Sequence, residues 1–207
     1  MREVCYLATL QPCDFGRETL DLKPETLNLE PETQNRKRNI LLTGFMGTGK
    51  STVAPLLADA LGWEFVDMDA LIEQRDGRTI REIFSTAGEA YFRRLETELC
   101  RELNGWRERV IATGGGTLVN PQNLAIVAPQ NVVICLDCDP DVLWQRLSTA
   151  TDRPMLDAAD ARARLFSLLA ERAPAYARIP HHIDVTHLSP AETVTAALEI
   201  WESVIRD

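Results

Sequence analysis

Eight residues constrain this chain more than any others: Gly44-Phe-Met-Gly-Thr-Gly49-Lys50-Ser51. They fill the pattern G-x-x-x-x-G-K-[ST] completely. An apolar run, Asn39-Ile-Leu-Leu-Thr43, leads into them, and Lys50 to Leu61 follows with helical periodicity that stops at Gly62. Strand, glycine loop and helix are the frame this motif requires. The glycines let the backbone wrap tightly and turn its N–H groups inward, and the helix N-terminus adds the positive end of its dipole. The spacing predicts a phosphate-cradling loop. In it Gly47, Thr48, Gly49, Lys50, Ser51 and Thr52 surround a nucleoside triphosphate. Lys50 bridges the β- and γ-phosphates and the Ser51 hydroxyl ligates Mg²⁺.

The rest of the chain has to supply a fold around that loop. Short apolar runs alternate with helical patterns: Trp63–Asp67, Arg109–Thr113, Val132–Leu136 and His182–Val185 read as strands. Thr79–Thr86, Glu89–Leu103, Pro140–Leu147, Ala159–Arg172 and a segment starting at Pro190 read as helices. Such alternation predicts an α/β fold with a parallel sheet covered on both faces and ligands at the carboxyl ends of the strands.

Residues 1–36 read differently. A seven-residue period runs through Glu18–Pro24 and Glu25–Pro31, with a proline closing each copy. Those prolines block a continuous helix, and so few copies build no solenoid. The expected organisation is a flexible extension over 1–36 and one domain over 37–207.

With 31 Asp and Glu against 22 Lys and Arg, the net charge is −9. Nucleic acid is therefore excluded as the main partner, since phosphate-backbone binding needs a basic face. Anionic ligands then call for a few arginines focused in a cleft. No apolar run is long enough to span a bilayer as a helix. The five cysteines are scattered, which gives no disulfide framework. Cys135 and Cys138 form a C-x-x-C, readable as a redox pair, as half a zinc site, or as two small residues ending a buried strand. With no second Cys/His pair in the sequence pattern, the last reading is preferred. No export signal is recognised and the 18–35 stretch is acidic, so the expected location is cytoplasmic; no exposed apolar stripe calls for a partner, so the expected state is a monomer.

Four further groups fall near strand ends. Asp67-Met-Asp69 follows the second strand, and alternation would turn both carboxylates one way. One can hold a magnesium shell and the other an acceptor hydroxyl. Arg93 and Glu96 share a helix face. They read either as an exposed ion pair or as a glutamate-oriented arginine that clamps a carboxylate. Gly114-Gly115-Gly116 closes the third strand and permits close backbone approach to a ligand. Residues 148–161 have the Thr, Ala, Asp and Pro content of a mobile lid. The domain is too small for a motor core and carries no guanine-reading N-K-x-D, so small-molecule kinases lead.

Taken in order, six groups resemble the shikimate kinase family from about Asn39 to the C-terminus: Gly44–Ser51, Asp67-x-Asp69, Phe92-Arg-Arg-Leu-Glu96, Gly114–Gly116, Asp152-Arg-Pro-Met-Leu156 and Arg172-Ala-Pro-Ala-Tyr176. The resemblance implies a P-loop NTPase fold, three-layered α/β/α with a central five-stranded parallel sheet and a mobile lid. It also implies that ATP phosphorylates the 3-hydroxyl of shikimate. By the same resemblance Asp69 binds the acceptor hydroxyls and serves as base, and Asp67 sits near Mg²⁺ through water. Arg93 and Arg172 grip the shikimate carboxylate, Glu96 orients Arg93, and Gly114, Gly115 and Gly116 line the pocket. Arg153 is the lid arginine, Arg146 stacks on adenine, and Ser189 and Pro190 flank the adenine. The competing readings are another small-molecule P-loop kinase, such as a gluconate kinase, and a non-catalytic ATP-binding regulator.

Overall fold

The computed structural model describes residues 39–148 and 160–206. The extension over 1–36, Arg153 and the body of the expected lid lie outside the described residues. The elements run β1 (Asn39–Gly44), α1 (Lys50–Leu61), β2 (Glu64–Asp67), α2 (Met68–Asp76), α3 (Ile80–Thr86), α4 (Glu89–Leu103) and β3 (Arg109–Ala112). A 3₁₀ turn (Thr117–Val119) follows, then α5 (Pro121–Val127), β4 (Val132–Asp137), α6 (Pro140–Ser148), α7 (Ala161–Tyr176), β5 (His181–Asp184) and α8 (Pro190–Arg206). The five strands form one sheet in the order β2-β3-β1-β4-β5, and every pairing is parallel.

The central strand shows why. All six residues of β1 are buried, so it has no solvent face and reads as a continuous apolar run. Its alternate side chains feed two separate cores. Ile40 and Leu42 pack with Val53 and Leu57 of α1 and Trp201 of α8. Leu41 faces the other way, into a cluster with Phe92 and Leu99 of α4 and Leu143 of α6. Each fully buried aliphatic side chain contributes roughly 1.5–3 kcal/mol of transfer free energy. The helices are thereby held on both faces and the strand ends are left free for ligands.

Several boundaries differ from the sequence reading. Strand β2 starts at Glu64, because the Trp63 N–H is taken by Ala58 O at the end of α1 (2.9 Å), while its ring packs edge-on against Trp201, 4.9 Å between centroids. The pair Asp67 and Asp69 does not continue a strand. Asp67 is the N-cap of α2, and its Oδ1 accepts the N–H groups of Asp69 (2.9 Å) and Ala70 (3.2 Å). Strand alternation therefore does not relate the two carboxylates; a helix cap does. Helix α7 continues through Pro174 to Tyr176, so Arg172 sits within it rather than at its end. Helices α2 and α5 were not anticipated. Among the described residues, no helix is long and apolar enough to cross a membrane.

Candidate active site

Strand β1 ends at Gly44, where φ is +133°. A Cβ there would fall 2.4 Å from the carbonyl oxygen of Leu136 in β4, so glycine is required at this turn. The chain then wraps to α1. The Lys50 ammonium donates to the carbonyls of Gly44 (2.8 Å) and Phe45 (2.9 Å), which holds it over the loop. A cleft of about 710 Å³ opens beside it. Gly47, Gly49, Lys50, Ser51 and Thr52 line one part; Asp67, Asp69, Arg93, Glu96, Gly114, Gly115, Gly116 and Arg172 line the other, with Arg146 also on the wall. Thr48 is buried instead, its hydroxyl donating to Phe45 O at 2.9 Å, so its side chain braces the loop.

Arg93 is held from two sides. Its Nη1 donates to Glu96 at 2.8 Å, while Nε and Nη2 reach Glu89 at 3.1 and 2.9 Å. Glu96 is itself 1% exposed, and its second oxygen accepts the Thr117 hydroxyl at 2.5 Å. Each oxygen of the buried carboxylate thus has a donor, and one of them fixes the guanidinium that faces the cleft. From α7, Arg172 lies over the Phe45 ring and reaches Gly115 O at 3.4 Å, and the Tyr176 hydroxyl donates to the same carbonyl at 2.6 Å.

Gly114 and Gly116 leave the room that Asp69 and Arg93 occupy. A Cβ at Gly114 would stand 2.7 Å from Asp69 Oδ1, and one at Gly116 would stand 2.7 Å from Arg93 Nη1. Asp69 is the perturbed group here. Burial, then the neighbouring charges of Asp67 and Glu96, raise its pKa to about 6 against the pull of Lys50. A carboxylate tuned toward neutrality beside a phosphate loop can take a proton from a hydroxyl. Ser51, Asp67 and Asp69 also offer the hard oxygen donors that suit Mg²⁺.

The family model for shikimate kinase matches residues 46–202. The chain belongs to the shikimate kinase family. A shikimate kinase of Geobacter sulfurreducens is 44% identical over 158 residues, covering 76% of this chain and 87% of that one. The solved structure of shikimate kinase from Acinetobacter baumannii in complex with shikimate aligns at TM-score 0.74 and 33% identity, covering 82% of this chain and 95% of that one. A gluconokinase from Sinorhizobium meliloti 1021 aligns at TM-score 0.56 and 19% identity, a likeness of fold alone.

Not every expected residue reaches the cleft. Ser189 and Pro190 do not line it. Ser189 instead exchanges bonds with Glu192 at the start of α8: its N–H and hydroxyl donate to the Glu192 carboxylate at 2.8 and 2.7 Å, and Glu192 N–H returns a bond at 3.3 Å. The pair is a helix cap. Arg146 does reach the cleft and is tied to that same loop, donating to Val185 O at 2.9 Å. The sequence reading missed Glu89, Thr117 and the apolar wall of Ile80 and Phe84. Glu89 was detectable, since it precedes Arg93 by one helical turn. Thr117 was not, because only the tertiary fold brings it to Glu96.

Proposed function

We propose that this chain is an ATP-dependent kinase that phosphorylates the 3-hydroxyl of shikimate. The observation that carries the reading is the pairing of Arg93 on α4 with Arg172 on α7 around one cleft that also holds the phosphate loop and Asp69. Two guanidiniums from different helices suit a single anionic carboxylate, held by charge-assisted bonds. Asp69 then lies where it can accept the proton of the attacking hydroxyl. The loop N–H groups and Lys50 receive the phosphates. Arg146 faces the base, and Arg153 closes on the transferred phosphoryl group. Mg²⁺ held by the Ser51 hydroxyl, and through water by Asp67, would supply charge compensation at the β- and γ-oxygens. Most of the rate enhancement on this reading comes from positioning and fixed charge. We further place the enzyme in the cytoplasm as a monomer, with residues 1–36 as an extension outside the catalytic domain 37–207. The test is ADP release dependent on shikimate, with quinate and gluconate in parallel. Release with gluconate and none with shikimate would overturn the acceptor assignment.

A further inference from the structure

The C-x-x-C of β4 finds an unexpected partner in the fold. Cys135 stands directly opposite His182 in the parallel pairing of β4 and β5. Asp137 is two residues further along β4, on the same face as Cys135. The three side chains meet. Cys135 Sγ donates to Asp137 Oδ1 at 3.4 Å, and His182 Nδ1 stands 2.6 Å from Asp137 Oδ2. All three potential ligand atoms lie within 4.8 Å of one another. None of the three residues lines the phosphoryl-transfer cleft.

The second ring nitrogen of His182 is also committed. Nε2 faces the carbonyl oxygen of Ile179 at 3.0 Å. A histidine that donates one N–H to a backbone carbonyl has its tautomer fixed and its other nitrogen aimed as a ligand. Here that other nitrogen, Nδ1, points at the Asp137 carboxylate. The position between Nδ1, the carboxylate and the thiol is one that a cation fills: protons or a metal ion. Tetrahedral zinc, with bonds of about 2.3 Å to sulfur and about 2.0–2.2 Å to nitrogen and oxygen, sets its ligand atoms roughly 3.3–3.6 Å apart. The separation of Cys135 Sγ from Asp137 Oδ1 already matches, at 3.4 Å, while His182 Nδ1 stands against the other carboxylate oxygen, Oδ2. The Asp137–His182 separation has to widen by less than about 1 Å; with the imidazole held by Ile179 O, a turn of the Asp137 carboxylate supplies it, and the two side chains are 46% and 35% exposed. The same exposure opens the fourth position to water.

We infer that Cys135, Asp137 and His182 form a binding site for a zinc-class divalent transition metal, apart from the Mg·ATP cleft and joining β4 to the edge strand β5. The donor set of one thiolate, one imidazole and one carboxylate is that of zinc rather than of magnesium or calcium. Cys138 is not a member, so the C-x-x-C does not act as a unit. A redox role for the two cysteines has no support either: burial holds both thiols above their ordinary range, leaving neither a ready thiolate. Metal coordination removes the Cys135 proton outright, which solvent at neutral pH does not.

The test is titration of the reduced, metal-free, full-length chain with Co²⁺. The expected result is one equivalent bound, with the near-ultraviolet absorption of thiolate-to-cobalt charge transfer. That absorption should vanish in Cys135→Ser and weaken at least tenfold in apparent affinity in His182→Gln. It should persist in Cys138→Ser, and added Zn²⁺ should erase it. Among the residues that line the ATP cleft there is no cysteine, so cobalt there meets no thiolate and gives no such absorption. His182→Gln changes a half-exposed side chain on an edge strand, so it remains informative should Cys135→Ser fold poorly. Absence of the absorption in the unaltered chain, its survival in Cys135→Ser, or its loss in Cys138→Ser would each overturn the assignment.

Discussion

In the proposed reaction Asp69 is the base that takes the proton of the attacking hydroxyl. Its raised pKa of about 6 has two consequences of opposite sign. As a base it must be ionised, so turnover should rise with pH through about 6, and Asp69→Asn should remove that limb and lower kcat by roughly 10²–10⁴-fold. For stability, the folded pKa lies above the unfolded value of 3.8. The folded state therefore carries a penalty that is absent below 3.8 and complete above about 6. Asp69→Asn should accordingly raise the melting temperature at pH 8, with the gain shrinking as pH falls toward 4; calorimetry at the two pH values checks this. The glycine wall makes a second residue-scale test. Gly116→Ala should drive a methyl group into the Arg93 guanidinium and raise KM for shikimate by about 10–100-fold, the equivalent of one charge-assisted bond. KM for ATP should change little. An equal rise in both would remove Arg93 from the acceptor subsite. Much of this scale was legible in advance. Lys50, Asp69, Arg93 and the three glycines follow from motif and order. The bonds that fix them, Glu96 to Thr117 and Tyr176 to Gly115, join residues distant in sequence, and no local pattern encodes such pairs.

At the scale of elements, the instructive error is Asp67-Met-Asp69. Period-two alternation suggested a strand end, whereas Asp67 closes β2 and caps α2 in the same step. Asp before a short helix is an N-cap signal, and it outweighs alternation once the strand has run out. Asp67 thus joins an observed cap to the proposed Mg²⁺ role, and the two are separable. Asp67→Asn should keep the cap, since Asn accepts the same N–H bonds, while raising the Mg²⁺ concentration needed for half-maximal activity. Asp67→Ala should show the same Mg²⁺ defect and lose about 1 kcal/mol of stability in addition. Denaturant titration of the two variants separates them; equal stability would mean the cap contributes nothing. Ser189-Pro190 shows a second cap that the sequence encodes. A Ser-Pro followed by Glu192 is a capping box in the sequence, and the structure uses it so.

For the whole molecule, the net charge of −9 and the anionic ligands are reconciled by where the cations sit. Lys50, Arg93, Arg146 and Arg172 all line one cleft, against Asp67, Asp69 and Glu96. A local excess of positive charge in a concave site attracts an anion even when the exterior is acidic. Strand order β2-β3-β1-β4-β5 puts the phosphate loop at the centre of the sheet, with Asp67 and Asp69 after β2 and Gly114–Gly116 after β3 on one side of it. That order was not readable from the alternation of strands and helices, which specifies parallel pairing without saying which strands pair. The proposed mechanism assigns the transferred phosphoryl group to Arg153. Arg153→Ala should lower kcat by about 10²-fold or more, the range for a removed transition-state donor, with KM for shikimate little changed. Unchanged turnover would reject its role as the closing arginine.

Transfer from ATP to a carboxylate-bearing alcohol held by Arg93 and Arg172 is best tested by steady-state ADP release from the purified chain with Mg·ATP. Shikimate, quinate and gluconate should be compared, in the unaltered protein and in Arg93→Ala. The expected result is release that requires shikimate, with Arg93→Ala raising KM for shikimate far more than KM for ATP. ATP binding without any shikimate-dependent release, or equal loss of both affinities in Arg93→Ala, would contradict it.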